Sequence, residues 1–297
     1  MKTLKLLLGP VRLPFLQLTP ACVAVGIGTA FWQTRELNWI HVLLVMIGAV
    51  SAHVSVNVFN EYFDFTSGLD AKTARTPFSG GSGVLPEHPE LAGPALFLAW
   101  TTFLVTAFVG LYFTLFQGWL LLPVGLLGLL LIVTYTIWWA YHPLVCLIAP
   151  GLGFGILMVM GTHFALTGTF TWTAFVAALV PSFLVSNLLL LNQFPDVEAD
   201  QYIGRKHFPI TIGRKFSGRI YGALLLMAYL AIVIGVLTEL LPVFSLISLI
   251  TVIIGWFAFQ GVRKNAENIP SLISSMGMNV VINLFTPVLL AVGLFVG

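Results

Sequence analysis

Two polar stretches interrupt a chain that is 58% hydrophobic and only 8% charged. The first, NVFNEYFDFTSGLD, runs from Asn57 to Asp70, and the second, NQFPDVEAD, from Asn192 to Asp200. In the first, Asn60 and Asp64 are four residues apart and share a helix face that runs back through Asn57 to His53. Asp70 follows in the loop after Gly68. In the second, Asn192 and Asp196 repeat the spacing, and Asp200 comes four residues later. Paired carboxylates of this kind suit a hard divalent cation. Mg2+ takes one or two carboxylates and completes its octahedron with water and substrate phosphate oxygens. Two such ions bridging a diphosphate would neutralise it and turn it into a leaving group. Basic residues follow each stretch, Lys72 and Arg75 after the first, Arg205 and Lys206 after the second. They are placed to grip phosphate oxygens, arginine by bidentate contact.

The elements that must position these groups are membrane helices. A mean hydropathy of +0.99, with 24 Phe and 8 Trp, excludes an ordinary soluble domain. Apolar runs of about 20 residues read as transmembrane helices. Nine are predicted, at 14–33, 38–62, 93–116, 118–141, 143–168, 171–194, 217–238, 241–260 and 271–296. The expectation is one all-α integral membrane domain over residues 1–297. Twelve of the 13 Lys and Arg residues fall on one side of this topology and only Arg35 on the other. The positive-inside rule then puts the N-terminus in the cytoplasm and the C-terminus outside. Both acidic stretches sit at cytoplasmic ends of even-numbered helices, so they can meet across the bundle.

An acid at the bilayer centre costs about 2.5–3.5 kcal/mol, so acids repeated beside apolar helix ends are candidates for function. Glu87, Glu90 and Glu267 lack the paired spacing and read as solvated loop acids. Pro195 cannot donate a backbone N–H and should end or kink its helix, turning Asp196 toward the site. SGGSG at 79–83 follows a helix rather than a strand, so it reads as a flexible cap rather than a nucleotide-type phosphate loop. Ser275, Asn279, Asn283 and Thr286, and His163 with Thr167, form polar stripes of the kind that more often join helices than touch substrate. Cys22 and Cys146 lie inside predicted helices without metal-ligand spacing. The N-terminal MKTLKLLLGPVRL lacks a signal-peptide cleavage site and reads as an amphipathic lead-in. A net charge of +2 is explained by topology and implies no nucleic-acid partner. A cation-coupled transporter is the competing class. Transporters, however, place ionisable residues near the bilayer midplane, whereas these four aspartates share one membrane face.

These motifs resemble the UbiA superfamily of intramembrane aromatic prenyltransferases over nearly the whole chain. NEYFDFTSGLD looks like its first Asp-rich motif and NQFPDVEADQYIGRK like its second. The resemblance implies a nine-helix fold in the inner (cytoplasmic) membrane and Mg2+ as cofactor. It also implies a polyprenyl diphosphate and a small aromatic acceptor as substrates. It assigns Asn60, Asp64 and Asp70 to one metal–diphosphate cluster and Asn192, Asp196 and Asp200 to the other. Arg75, before Thr76 and Pro77, and Lys206 occupy the family's basic positions, and Tyr135 matches a tyrosine placed near the breaking bond. The gap between Asp64 and Asp70, with TPFSGGSGV following, is similar to the menaquinone branch, whose acceptor is 1,4-dihydroxy-2-naphthoate. The ubiquinone branch, acting on 4-hydroxybenzoate, spaces its first acids more closely. Two departures lie toward the acceptor side. Phe154 stands where a Glu is usual, and GRKHFPITIGR replaces the common Gly-Lys-x-Thr-Leu.

Overall fold

The computed structural model describes residues 2–297, with side chains from residue 5 onward, so the Lys2 side chain lies outside the described residues. The described residues form helices and turns without a strand. A short helix α1 (Lys2–Val11) leads into α2 (Leu13–Thr34) and α3 (Trp39–Thr66). Then come α4 (Pro89–Gln117), α5 (Leu121–Ile137), α6 (Pro143–Thr167) and α7 (Trp172–Asn192). After the short α8 (Val197–Tyr202) the chain finishes with α9 (Arg214–Leu237), α10 (Val243–Asn265) and α11 (Ile269–Val296). Among the described residues, eight helices are long and apolar enough to cross a membrane. The remaining apolar helix, α5, has 17 residues where the sequence suggested 118–141. It is preceded by Gly118, at φ 135°, and breaks at Trp138 (φ −136°, ψ −52°) into a 3-10 turn, Trp139–Tyr141, before His142 turns extended ahead of Pro143.

The bundle is built around α7. Its small and apolar residues, from Ala174 through Ala177, Ala178, Leu184 and Leu191, are buried against α2, α6, α9 and α11. Close approach to α6 is possible because Gly151 and Gly155 face Ser182, where any Cβ would collide with it. The α6 backbone widens into a π-helical stretch there, Leu152–Met160. A second apolar cluster joins α3 to α4 through Val58, Phe59, Ala95 and Ala99. The outer surface is apolar, with Phe97 75% exposed and Leu237 78% exposed, which suits contact with lipid rather than water. Trp39, Trp119 and Trp172 stand exposed at or next to helix starts, as interfacial aromatic anchors do.

α7 ends at Asn192, with Gln193 as its C-cap and Pro195 in the following turn. The chain restarts at Val197 as α8, as the proline requires. α3 ends at Thr66, and a left-handed Gly68 turns Leu69 and Asp70 back beneath the helix.

Candidate functional site

The ends of α3 and α7 face each other and enclose a polar pocket of about 130 Å³. Asn60, Asp64 and Asp70 line one side of it, and Asn192, Asp196 and Asp200 the other. It adjoins an apolar chamber of about 360 Å³ walled by α3, α4, α5 and the π-helical part of α6. Arg12, Asn60, Tyr135 and Leu189 line both, so they mark the junction.

Within the polar pocket the carboxylates differ in their partners. Arg205 donates through Nη1 to Asp200 Oδ1 at 2.9 Å and through Nη2 to Asp64 Oδ1. The second oxygen of Asp200 lies 3.0 Å from His207 Nε2. By contrast Asp70 Oδ2, Asn192 Oδ1 and Asp196 Oδ1 are buried without a hydrogen-bond partner. Burial, then the charges of Asp64 and Glu61, push the Asp70 carboxyl up to about 7. Burial and the charge of Asp200 do the same to Asp196. Burial would also raise Asp200, but His207 and Arg205 hold it below the ordinary carboxylate value. Arg205, which burial would lower, is held above its ordinary value by Asp64 and Asp200.

Ser79, Gly80 and Gly81 of the SGGSG segment also line the pocket. Gly80, Gly81 and Gly83 take positive φ. A Cβ on Gly81 would press to 3.1 Å from Asp70 Oδ1, so only glycine leaves that carboxylate free. The segment is pinned by Glu61, which is fully buried and accepts from Ser82 N at 2.7 Å and Ser82 Oγ at 2.8 Å. Glu61 also accepts from Arg12 Nε at 2.7 Å. Arg12 reaches it from a left-handed break between α1 and α2, at φ 54°, an uncommon conformation for a residue with a side chain.

Among the described residues, no three His, Cys, Asp or Glu side chains stand close enough to enclose a metal by themselves. The pocket nevertheless fits Mg2+. Three buried acceptor oxygens lack donors, and this ion needs few protein ligands when phosphate oxygens complete its shell.

A family model described as the UbiA prenyltransferase family matches residues 20–281. The chain belongs to that family. It is accordingly a membrane prenyltransferase, and the transporter alternative falls away. A 1,4-dihydroxy-2-naphthoate octaprenyltransferase of Bacillus subtilis (strain 168) is 27% identical over 283 residues, covering 94% of this chain and 89% of its own length. The apo structure of a UbiA homolog from Aeropyrum pernix K1 superposes with a TM-score of 0.73 at 16% identity, over 95% of this chain and 98% of that one. A UbiA homolog from Archaeoglobus fulgidus, bound to DMAPP and Mg2+, gives 0.60 at 12% identity, over 98% of this chain and all of that one.

In this UbiA-family chain the two Asp stretches, Arg205 and Tyr135 come together, whereas three basic residues do not. Lys72 lies 3.4 Å above the Tyr202 ring, Arg75 pairs with Glu87 at 3.2 Å, and Lys206 is exposed. The polar stripes are internal ties. Tyr221 donates to Asn279, Thr251 meets Thr286 at 2.8 Å, and His163 lies between Thr29 and Thr171. His53 is held by Thr19 at 2.7 Å with Phe154 edge-on against it, and both line the chamber. Sequence reasoning passed over Arg12, Glu61 and His207. Glu61 lies inside the quoted motif, but only the fold shows what it binds.

Proposed function

We propose that this prenyltransferase transfers a polyprenyl group from its diphosphate to 1,4-dihydroxy-2-naphthoate at the cytoplasmic face of the inner membrane, with Mg2+ as cofactor. The observation that carries the reading is the junction itself, where a pocket of facing carboxylates opens directly into an apolar chamber. A diphosphate headgroup suits the first and an isoprenoid tail the second, so the scissile bond would lie near Tyr135 and Asn60, which line both. The Asp64–Asp70 spacing and the activity in the name of the Bacillus relative support this acceptor.

Asp70, Asp196 and Asn192, with their unpartnered oxygens, would hold Mg2+. When bound, the ion would offset the charge that builds on the departing diphosphate. Asp64 and Asp200 hold the Arg205 guanidinium in the lining of the same pocket. Lys72, Arg75 and Lys206 lie outside the pocket lining, so any help they give the anionic donor would be long-range attraction rather than contact. As the allylic C–O bond breaks, its electron pair leaves with the diphosphate. The Tyr135 ring, at the junction, would stabilise the resulting cation, an attraction worth about 0.5–2 kcal/mol. A ring carbon of the acceptor then bonds to C1 of the chain. The carbon–carboxylate bond at that position breaks, returning its electron pair to the ring and releasing carbon dioxide.

Membranes containing the protein, given one polyprenyl diphosphate and a panel of aromatic acceptors, should prenylate 1,4-dihydroxy-2-naphthoate and release carbon dioxide. Prenylation of 4-hydroxybenzoate with the naphthoate left untouched would overturn the acceptor assignment.

A further inference from the structure

Asp64 and Asp200 already have a cation. The Arg205 guanidinium spans them, joining the first acidic stretch to the second. The second oxygen of Asp200 is engaged by His207, which is itself buried. The open acceptors are on the other acids, at Asp70 Oδ2 and Asp196 Oδ1, with Asn192 Oδ1 beside them. Side chains thus engage three of the four carboxylate oxygens of Asp64 and Asp200, whereas Asp70 and Asp196 each keep a buried oxygen without a partner.

We infer that Arg205 is a built-in replacement for one of the two divalent cations that two facing carboxylate pairs would otherwise bind, so that this site works with a single Mg2+. The inference rests on the metal-dependent diphosphate reading above and goes beyond it in the number of ions. Arg205 is fixed for such a role. It follows a left-handed Gly204, its backbone N–H donates to Asp200 O at 3.0 Å, and its side chain is only 10% exposed. Swinging it away would strand one cation and two carboxylates in a buried place, the situation in which broken ion pairs cost most. A guanidinium keeps its charge at any working pH, and its planar fork matches two carboxylates at once. Its Nε is buried and unpartnered, so one donor remains for a diphosphate oxygen. Arg205 thus supplies what the second ion would have supplied: positive charge between the stretches and a contact to the leaving group.

The test is an ion count on the full-length protein in lipid nanodiscs, with Mn2+ as a paramagnetic probe and a slowly reacting prenyl thiolodiphosphate as the donor analogue. Electron paramagnetic resonance should show one tightly bound Mn2+ per chain. Two ions per wild-type chain would overturn the inference while leaving the metal-dependent reading intact. No bound ion would contradict that reading as well, and both would fall. Arg205→Gln, which frees Asp64 and Asp200, should raise the count to two, and Arg205→Lys, which keeps the charge, should leave it at one. A folded Arg205→Gln that still binds one ion would also overturn the inference. If Arg205→Gln does not fold, the wild-type count decides alone.

Discussion

Asp70 and Asp196 sit in the same pocket as Asp200, yet their carboxyls are pushed up to about 7 while Asp200 is held low. The difference is donors. Asp200 has Arg205 and His207, and the other two have open oxygens. Against an ordinary value of 3.8, the metal-free folded state binds more protons than the unfolded chain between about pH 4 and 7. The stability of the metal-free protein should therefore fall as pH rises through that window. Mg2+ competes with those protons, so its stabilising effect should grow over the same range. Thermal denaturation in detergent at pH 6 and pH 8, with and without Mg2+, checks this: the Mg2+-induced rise in Tm should be larger at pH 8. An equal rise at both values would mean that neither carboxyl is a ligand.

At the scale of elements, the carboxylates are set by how helices end. Gly68 turns Asp70 under α3, Pro195 stops α7 so that Asp196 faces inward, and the left-handed Gly81 keeps clear of Asp70. Gly81→Ala would force a side chain onto φ 73° and against Asp70 Oδ1. The backbone cost is about 1 kcal/mol, and a disturbed ligand environment typically lowers metal affinity about 10- to 100-fold. Titration of Mn2+ into the Gly81→Ala protein with the donor analogue should show that loss, and unchanged affinity would remove the glycine segment from the site.

Much of this was legible in the sequence, for physical reasons. Asn60, Asp64, Asn192 and Asp196 could be paired because a helix repeats its face every four residues, and Pro195 lacks the backbone donor that would carry α7 on past Asn192. The partners of those residues could not be read. Arg12 precedes Glu61 by 49 residues, and only the left-handed break after α1 brings its guanidinium there. Lys72 and Arg75 are adjacent to Asp70 in sequence, but the loop carries them outward to Tyr202 and Glu87. Loop neighbours, unlike helix neighbours, have no fixed direction. The length of α5 was misjudged because the aromatic run continues past Ile137 while the α-helical backbone breaks at Trp138 into a 3-10 turn.

For the whole molecule, two acidic stretches more than 120 residues apart must share one side of the membrane. Thr66 and Gln201 are exposed near them, and the native Cys22 and Cys146 are buried. Cysteines introduced at Thr66 and Gln201 should react with an impermeant maleimide only from the cytoplasmic side. Labelling from opposite sides would separate the stretches and exclude a shared diphosphate site. Whether both stretches act on one leaving group can be read from prenyl-transfer kinetics of Asp64→Asn, Asp196→Asn and the double variant. Each single change keeps the shape of the side chain but removes a charge, so kcat should fall about 100-fold or more. Because the two serve the same step, their effects should be strongly non-additive, with the double variant little worse than the poorer single one. Wild-type turnover in either single variant, or losses that simply multiply in the double, would contradict a single site built from both ends of the bundle.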